Sequence, residues 1–96
     1  MNYKLIEEFI KITSKPVIEV KEPNEEPKFF AVTDYDFDEN KYLVCTGFLI
    51  TDFLKSNTMD DLRMTNEFVS KVISFIQSVD FVTKKFSPNF YFTIHI

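Results

Sequence analysis

Lys28-Phe29-Phe30-Ala31-Val32-Thr33-Asp34-Tyr35-Asp36-Phe37-Asp38-Glu39-Asn40-Lys41-Tyr42-Leu43-Val44-Cys45-Thr46-Gly47-Phe48-Leu49-Ile50 is the stretch that decides the fold. It reads as a β-hairpin. Lys28 to Phe37 is rich in aromatic and β-branched residues, Asp38-Glu39-Asn40 is turn chemistry, and Lys41 to Thr51 returns as a second strand. Strand parity puts Phe30 and Val32 on one face with Asp34 and Asp36. The other face takes Phe29, Ala31, Thr33, Tyr35 and Phe37. One face therefore changes from apolar to acidic as the strand leaves the core. The return strand is largely apolar on both faces, as a central strand would be. Gly47 marks a bulge or a close approach.

Around the hairpin the periodicity switches to helical. Residues 3–13 place Leu5, Ile6, Phe9, Ile10 and Ile12 on one side and Lys4, Glu7, Glu8 and Lys11 on the other. Asn2 is the N-cap candidate, and Pro16 disfavours helix in the residue before it. Val17 to Val20 is a short strand. Lys21 to Pro27 is a polar loop with two prolines. Residues 52–58 are irregular or a short helical turn. Thr58 then caps a second amphipathic helix, with Asp60 and Asp61 in its first turn. Leu62, Phe68, Val69, Val72, Ile73, Phe75, Ile76 and Val79 fill one arc of roughly 160°. Met64 falls near the margin. Ser87-Pro88 breaks any helix, and Asn89 to Ile96 alternates as a half-buried strand: Phe90, Phe92, Ile94 and Ile96 against Tyr91, Thr93 and His95.

The resulting order is α-β-β-β-α-β over one domain, residues 1–96. The expected fold is an α+β two-layer sandwich, with an antiparallel sheet of about four strands and two helices on one face. The bare face would show Tyr91, Thr93 and His95. The final strand pairs centrally or lies at an edge.

Composition narrows function. The 96 residues carry a net charge of −4, with 12 Phe, 4 Tyr, one Gly, no Trp, and Arg63 as the only arginine among 11 basic residues. Such usage follows AT-rich codons and suits low-GC bacteria, their phages, some archaeal viruses and some protists. The acidic balance argues against direct nucleic-acid binding, which needs a basic footprint, and against docking on anionic lipid. It favours a partner with a basic surface. One cysteine, Cys45, excludes an internal disulfide and a Cys-based zinc cluster. The N-terminal segment carries Glu7 and Glu8 where a signal peptide would be apolar, and the apolar runs are short. A soluble, cytoplasmic protein is expected, in the host cytoplasm if viral, with no membrane partner.

Enzymatic chemistry finds no support in the motifs. A lone glycine rules out glycine-rich phosphate loops. Asp34-x-Asp36-x-Asp38 opens like a calcium loop, but Glu39 stands where the turn needs Gly and Cys45 where a bidentate Glu belongs. Cys45, flanked by Leu43, Gly47 and Leu49, reads as an inert buried thiol, with no signature linking it to His95. No catalytic residue, cofactor or metal is expected. The α-β-β-β-α core resembles the order of double-stranded RNA-binding domains. Their second helix opens with lysines on phosphate, whereas this one opens with Asp60 and Asp61, the wrong sign.

The lead feature is therefore the acidic stripe. Asp34, Asp36 and Asp38 would stand in a row roughly 6.7 Å apart, continued by Glu39 and flanked by Tyr35 and Phe37 as apolar anchors. Glu22, Glu25 and Glu26 are candidates to extend the patch. Such a row suits a non-enzymatic inhibitor that occupies a basic, nucleic-acid-binding site on a host or defence protein. It also reads as a solvated hairpin tip whose charges deter aggregation. Two further readings are a homodimeric chaperone-like or adaptor module, whose layout resembles that of small acidic secretion chaperones, and a toxin-neutralising immunity protein.

Overall fold

The computed structural model describes residues 3–57, 65–88 and 91–96. Its elements are α1 (Tyr3–Thr13), β1 (Val17–Lys21), β2 (Lys28–Phe37), β3 (Leu43–Leu49), α2 (Thr51–Lys55), α3 (Thr65–Ser78), β4 (Val82–Phe86) and β5 (Tyr91–His95). The mixed α+β class is as expected, but among the described residues the strands number five and the helices three. All strand pairs are antiparallel, in the order β4-β3-β2-β1-β5. Asn2, Thr58, Asp60, Asp61, Leu62, Arg63, Met64, Asn89 and Phe90, all part of the sequence reading, lie outside the described residues.

The helices share one face of the sheet. Leu5, Ile6 and Phe9 of α1, Leu54 of α2, and Phe68 and Val72 of α3 bury themselves against Val17, Phe29, Ala31, Phe48 and Ile50. Each fully buried phenylalanine here contributes about 2–3 kcal/mol by its removal from water. Ile73, expected in the apolar arc of its helix, is exposed instead. Ser14 closes α1 with a left-handed backbone, φ 58°, and its N–H donates to the Ile10 carbonyl at 2.7 Å.

The opposite face is not bare. Ile18, Val20, Phe30, Val32, Leu43, Cys45 and Phe86 form a second core, with Phe92 and Ile94 partly buried against it. Tyr91, Thr93 and His95 belong to the helix side of β5: His95 lies against Tyr3 of α1, ring centroids 5.6 Å apart, and bonds Glu19 at 3.0 Å. The expected assignment of these faces is thus reversed.

A sheet has two cores on two sides only if something covers the second. Here the sheet covers itself by rolling. Phe92 is aligned, through Val20, with Lys28 at the start of β2. Phe37, at the far end of that ten-residue strand, would be about 30 Å away if the strand ran straight. Its ring instead lies 5.7 Å from that of Phe92, and Phe30 meets Phe86 edge-on at 6.4 Å. Chain length demands the same result. Five residue steps join Phe86 to Tyr91, spanning at most about 18 Å. The outer strands of a flat five-stranded sheet are about 19 Å apart before any offset along the strands.

The bend has a local cause. The β2–β3 register shifts between Val32 and Asp34, so Thr33 is a bulge residue, its hydroxyl donating to the Thr46 carbonyl at 3.1 Å. Bulges bend a strand and raise its twist. Opposite the bulge, Gly47 lets the backbones touch. A Cβ at that position would sit 1.9 Å from the Ala31 carbonyl oxygen and 2.8 Å from the Val32 Cα. Both alternatives raised by the sequence, a bulge and a close approach, meet at this point.

β4 was not expected as a strand. Val82-Thr83-Lys84-Lys85-Phe86 is an edge strand with two lysines, and edge strands carry such charge to deter further pairing. Its single fully buried side chain is Phe86.

Gly47→Ala should destabilise the fold by about 3 kcal/mol or more, because the new methyl meets backbone that has no room to yield. Urea unfolding of the two proteins measures this. A change below about 0.5 kcal/mol would mean that the strands do not approach as described.

Candidate interaction site

Beyond the bulge, β2 and β3 continue as an arm. None of the core residues beneath the helices lies in it. The bulge changes the arm's parity. Asp34 is aligned with Thr46, Tyr35 with Cys45, Asp36 with Val44 and Phe37 with Leu43. Leu43 and Cys45 belong to the second core. Tyr35 and Phe37 therefore share that side, and Asp34 and Asp36 stand on the helix side of the sheet. The expectation that Asp34 and Asp36 share a face with Phe30 and Val32 is overturned by one extra residue, Thr33. The arm thus has an acidic face and an aromatic face, with all four side chains exposed.

Asp38 does different work. One carboxylate oxygen, Oδ1, accepts from the N–H groups of Asn40 at 2.9 Å and Tyr42 at 3.0 Å. The Asp38 carbonyl accepts from Lys41 N–H at 2.9 Å, and Asp38 N–H donates to the Tyr42 carbonyl at 3.0 Å. The loop is a four-residue turn, Asp38 to Lys41, whose last residue is in the left-handed region, φ 66°. The second oxygen, Oδ2, pairs with Lys85 of β4 at 2.8 Å. Lys85, the strongest influence, and the two loop N–H groups hold the Asp38 carboxyl below the usual carboxylate range. The Lys85 ammonium also lies over the Tyr42 ring, 5.2 Å from its centroid. Asp38 is the cap of the hairpin, and the expected row of three becomes a pair, Asp34 and Asp36, with exposed Glu39 at the turn.

The loop acids do not extend the patch. Glu22, Glu25 and Glu26 lie at the other end of β2. Lys28 pairs with Glu22 at 3.2 Å and with Glu25 at 3.5 Å, and Lys55 pairs with Glu26 at 2.6 Å. Lys55 lowers the pKa of the Glu26 carboxyl. By contrast, no cation among the described residues pairs with Asp34, Asp36 or Glu39.

The remaining candidates separate. Cys45 is fully buried in the second core, and burial pushes its thiol up to about 11, so it stays protonated and unreactive near neutrality. His95 is on the opposite side of the sheet, held by Glu19, so the structure does not bring the two together. Glu19 also accepts from the Tyr3 hydroxyl at 3.2 Å, joining α1, β1 and β5. Sequence reasoning missed Lys85, the partner of Asp38. The segment Val82 to Phe86 carries little periodic signal, because Lys84 shares the face of Val82 and Phe86 and breaks the alternation.

Two outcomes follow for the hairpin. A depressed carboxylate pKa stabilises the fold fully above the unfolded value, 3.8 for Asp38, and that contribution fades as pH falls through the lower folded value. Asp38→Ala should therefore lower the melting temperature at neutral pH, and the gap to the parent should narrow below pH 3.8; a gap that is constant with pH would contradict the pairing. Lys41→Gly should raise stability by about 1 kcal/mol, since glycine takes positive φ without the side-chain penalty. Loss of stability in denaturant titration would contradict the turn geometry.

No family model, curated protein or solved structure matches the chain.

Proposed function

We propose that the chain is a non-enzymatic binding protein whose hairpin arm enters a basic site on a larger protein. One observation supports this above the others: Asp34 and Asp36 are adjacent on one face with no cation on either among the described residues, while Asp38, Glu22, Glu25 and Glu26 are each held by a lysine. Two carboxylates about 6.7 Å apart repel by about 0.6 kcal/mol in water. Lysine or arginine on a partner relieves that repulsion and gains charge-assisted hydrogen bonds. The spacing is within reach of that between neighbouring nucleic-acid phosphates, so a surface built for phosphates is the natural acceptor. Glu39 at the turn, and Tyr35 and Phe37 on the other face of the arm, complete the contact when the arm is enclosed by the partner.

The concrete form is a phage- or mobile-element-encoded inhibitor of a nucleic-acid-handling host or defence protein, acting in the host cytoplasm. Net acidity and AT-rich coding support it. No helix among the described residues is long and apolar enough to cross a membrane.

The triple variant Asp34→Asn, Asp36→Asn, Glu39→Gln removes the charge and leaves the Asp38 cap in place. It should bind the partner captured from lysate more than tenfold more weakly, with an unchanged melting temperature, and parent binding should fall steeply as salt rises. Equal binding by the triple variant, or salt-resistant capture, would defeat the proposal.

A further inference from the structure

The two edges of the sheet are built differently. β4 carries Lys84 and Lys85 along its length. β5 is Tyr91-Phe92-Thr93-Ile94-His95, with no lysine, arginine, acid, proline or glycine. It pairs with β1 across all five residues without a register shift. No described strand occupies its outer edge, so a regular row of backbone N–H and C=O groups faces outward with none of the devices that discourage pairing. The surface beside this edge is apolar. Phe92 and Ile94 are only partly buried in the second core, Phe37 leans on Phe92 while 48 % exposed, and Tyr91 is 83 % exposed.

From this we infer that β5 is a homodimer interface, with a second copy of the chain adding its own β5 antiparallel across a two-fold axis at Thr93. The strand is self-complementary in that register. Phe92 of each copy faces Ile94 of the other, an aromatic–β-branched pair made twice, and Thr93 faces Thr93, a favourable pairing. On the second-core side the two half-buried pairs join into one apolar strip, flanked by Phe37 from each copy, so both cores gain the cover they lack at this edge. On the helix side Tyr91 meets the second copy's His95.

Charge selects the same occupant. A strand without lysine, arginine, aspartate or glutamate offers little to a strongly acidic or basic peptide, whereas a second copy brings a strand of the same composition. The nearest like charges set in line by this pairing are the two Glu19 carboxylates, three strand spacings or about 14 Å apart. That exceeds the screening length of about 8–10 Å at physiological salt. The net charge of −4 per chain therefore costs this interface little.

Sedimentation velocity on the full chain, over a concentration series, tests the inference. The parent should form a dimer that survives high salt. Thr93→Lys sets two like charges directly opposite at the axis and should weaken the dimer at least about tenfold, with the monomer's circular dichroism and melting temperature retained. Tyr91→Lys, at a site already 83 % exposed, should weaken it too without touching the core. Thr83→Lys, on the β4 edge, should leave the dimer intact. A parent that stays monomeric to about 1 mM, or a dimer indifferent to Thr93→Lys and Tyr91→Lys, would overturn the assignment.

Discussion

The Ala31 carbonyl occupies the space that a side chain at position 47 would need. This close approach, with the Thr33 bulge opposite, is the constraint on which the rest of the structure depends. It lets two strands cross tightly enough for the sheet to roll onto itself. Without the roll, Phe30, Phe86, Phe92 and Ile94 would face water, and a phenylalanine-rich chain of this kind would be prone to associate. With it, one antiparallel sheet supports two cores: one under the helices and one inside its own curve. The chain's single glycine is placed where no other residue fits.

The same irregularity sorts the chemistry of the arm. One inserted residue turns Asp34 and Asp36 to the helix side of the sheet and brings Tyr35 and Phe37 to the second-core side, where the Phe37 ring meets Phe92. Lys85 then decides which acids remain available. By binding Asp38 it secures the turn and leaves the neighbouring pair without a counter-charge. Fold stability and the proposed contact therefore draw on different carboxylates of one short segment, so each can be altered without the other.

Much of the fold was legible in the sequence because its longer elements carry clean periods. The 3.6-residue period of residues 3–13 and the alternation of Tyr91 to His95 specified a helix and a strand. The burial of Cys45 followed from its apolar neighbours, and Asp38-Glu39-Asn40 was recognisable turn chemistry. What escaped was set by tertiary context. A bulge has no sequence signal beyond a nearby glycine, and counting parity through Thr33 put Asp34 and Asp36 on the wrong face. Val82 to Phe86 hid as a strand because its lysines serve an edge. The covered second face was hidden because rolling is a property of the whole sheet. For the site, the acidic residues were visible as a run, but only the cross-strand reach of Lys85 separates the cap from the exposed pair.

Proton–proton contacts between the rings of Phe37 and Phe92, measured by NMR, test the rolled sheet most directly. Strong ring-to-ring cross-peaks are expected for this pair alongside the ordinary cross-strand contacts of Val20 with Phe92. Cross-peaks from Val20 to Phe92 without any from Phe37 would mean that the arm runs straight, the second core is open, and the division of the arm into an acidic and an aromatic face has lost its basis.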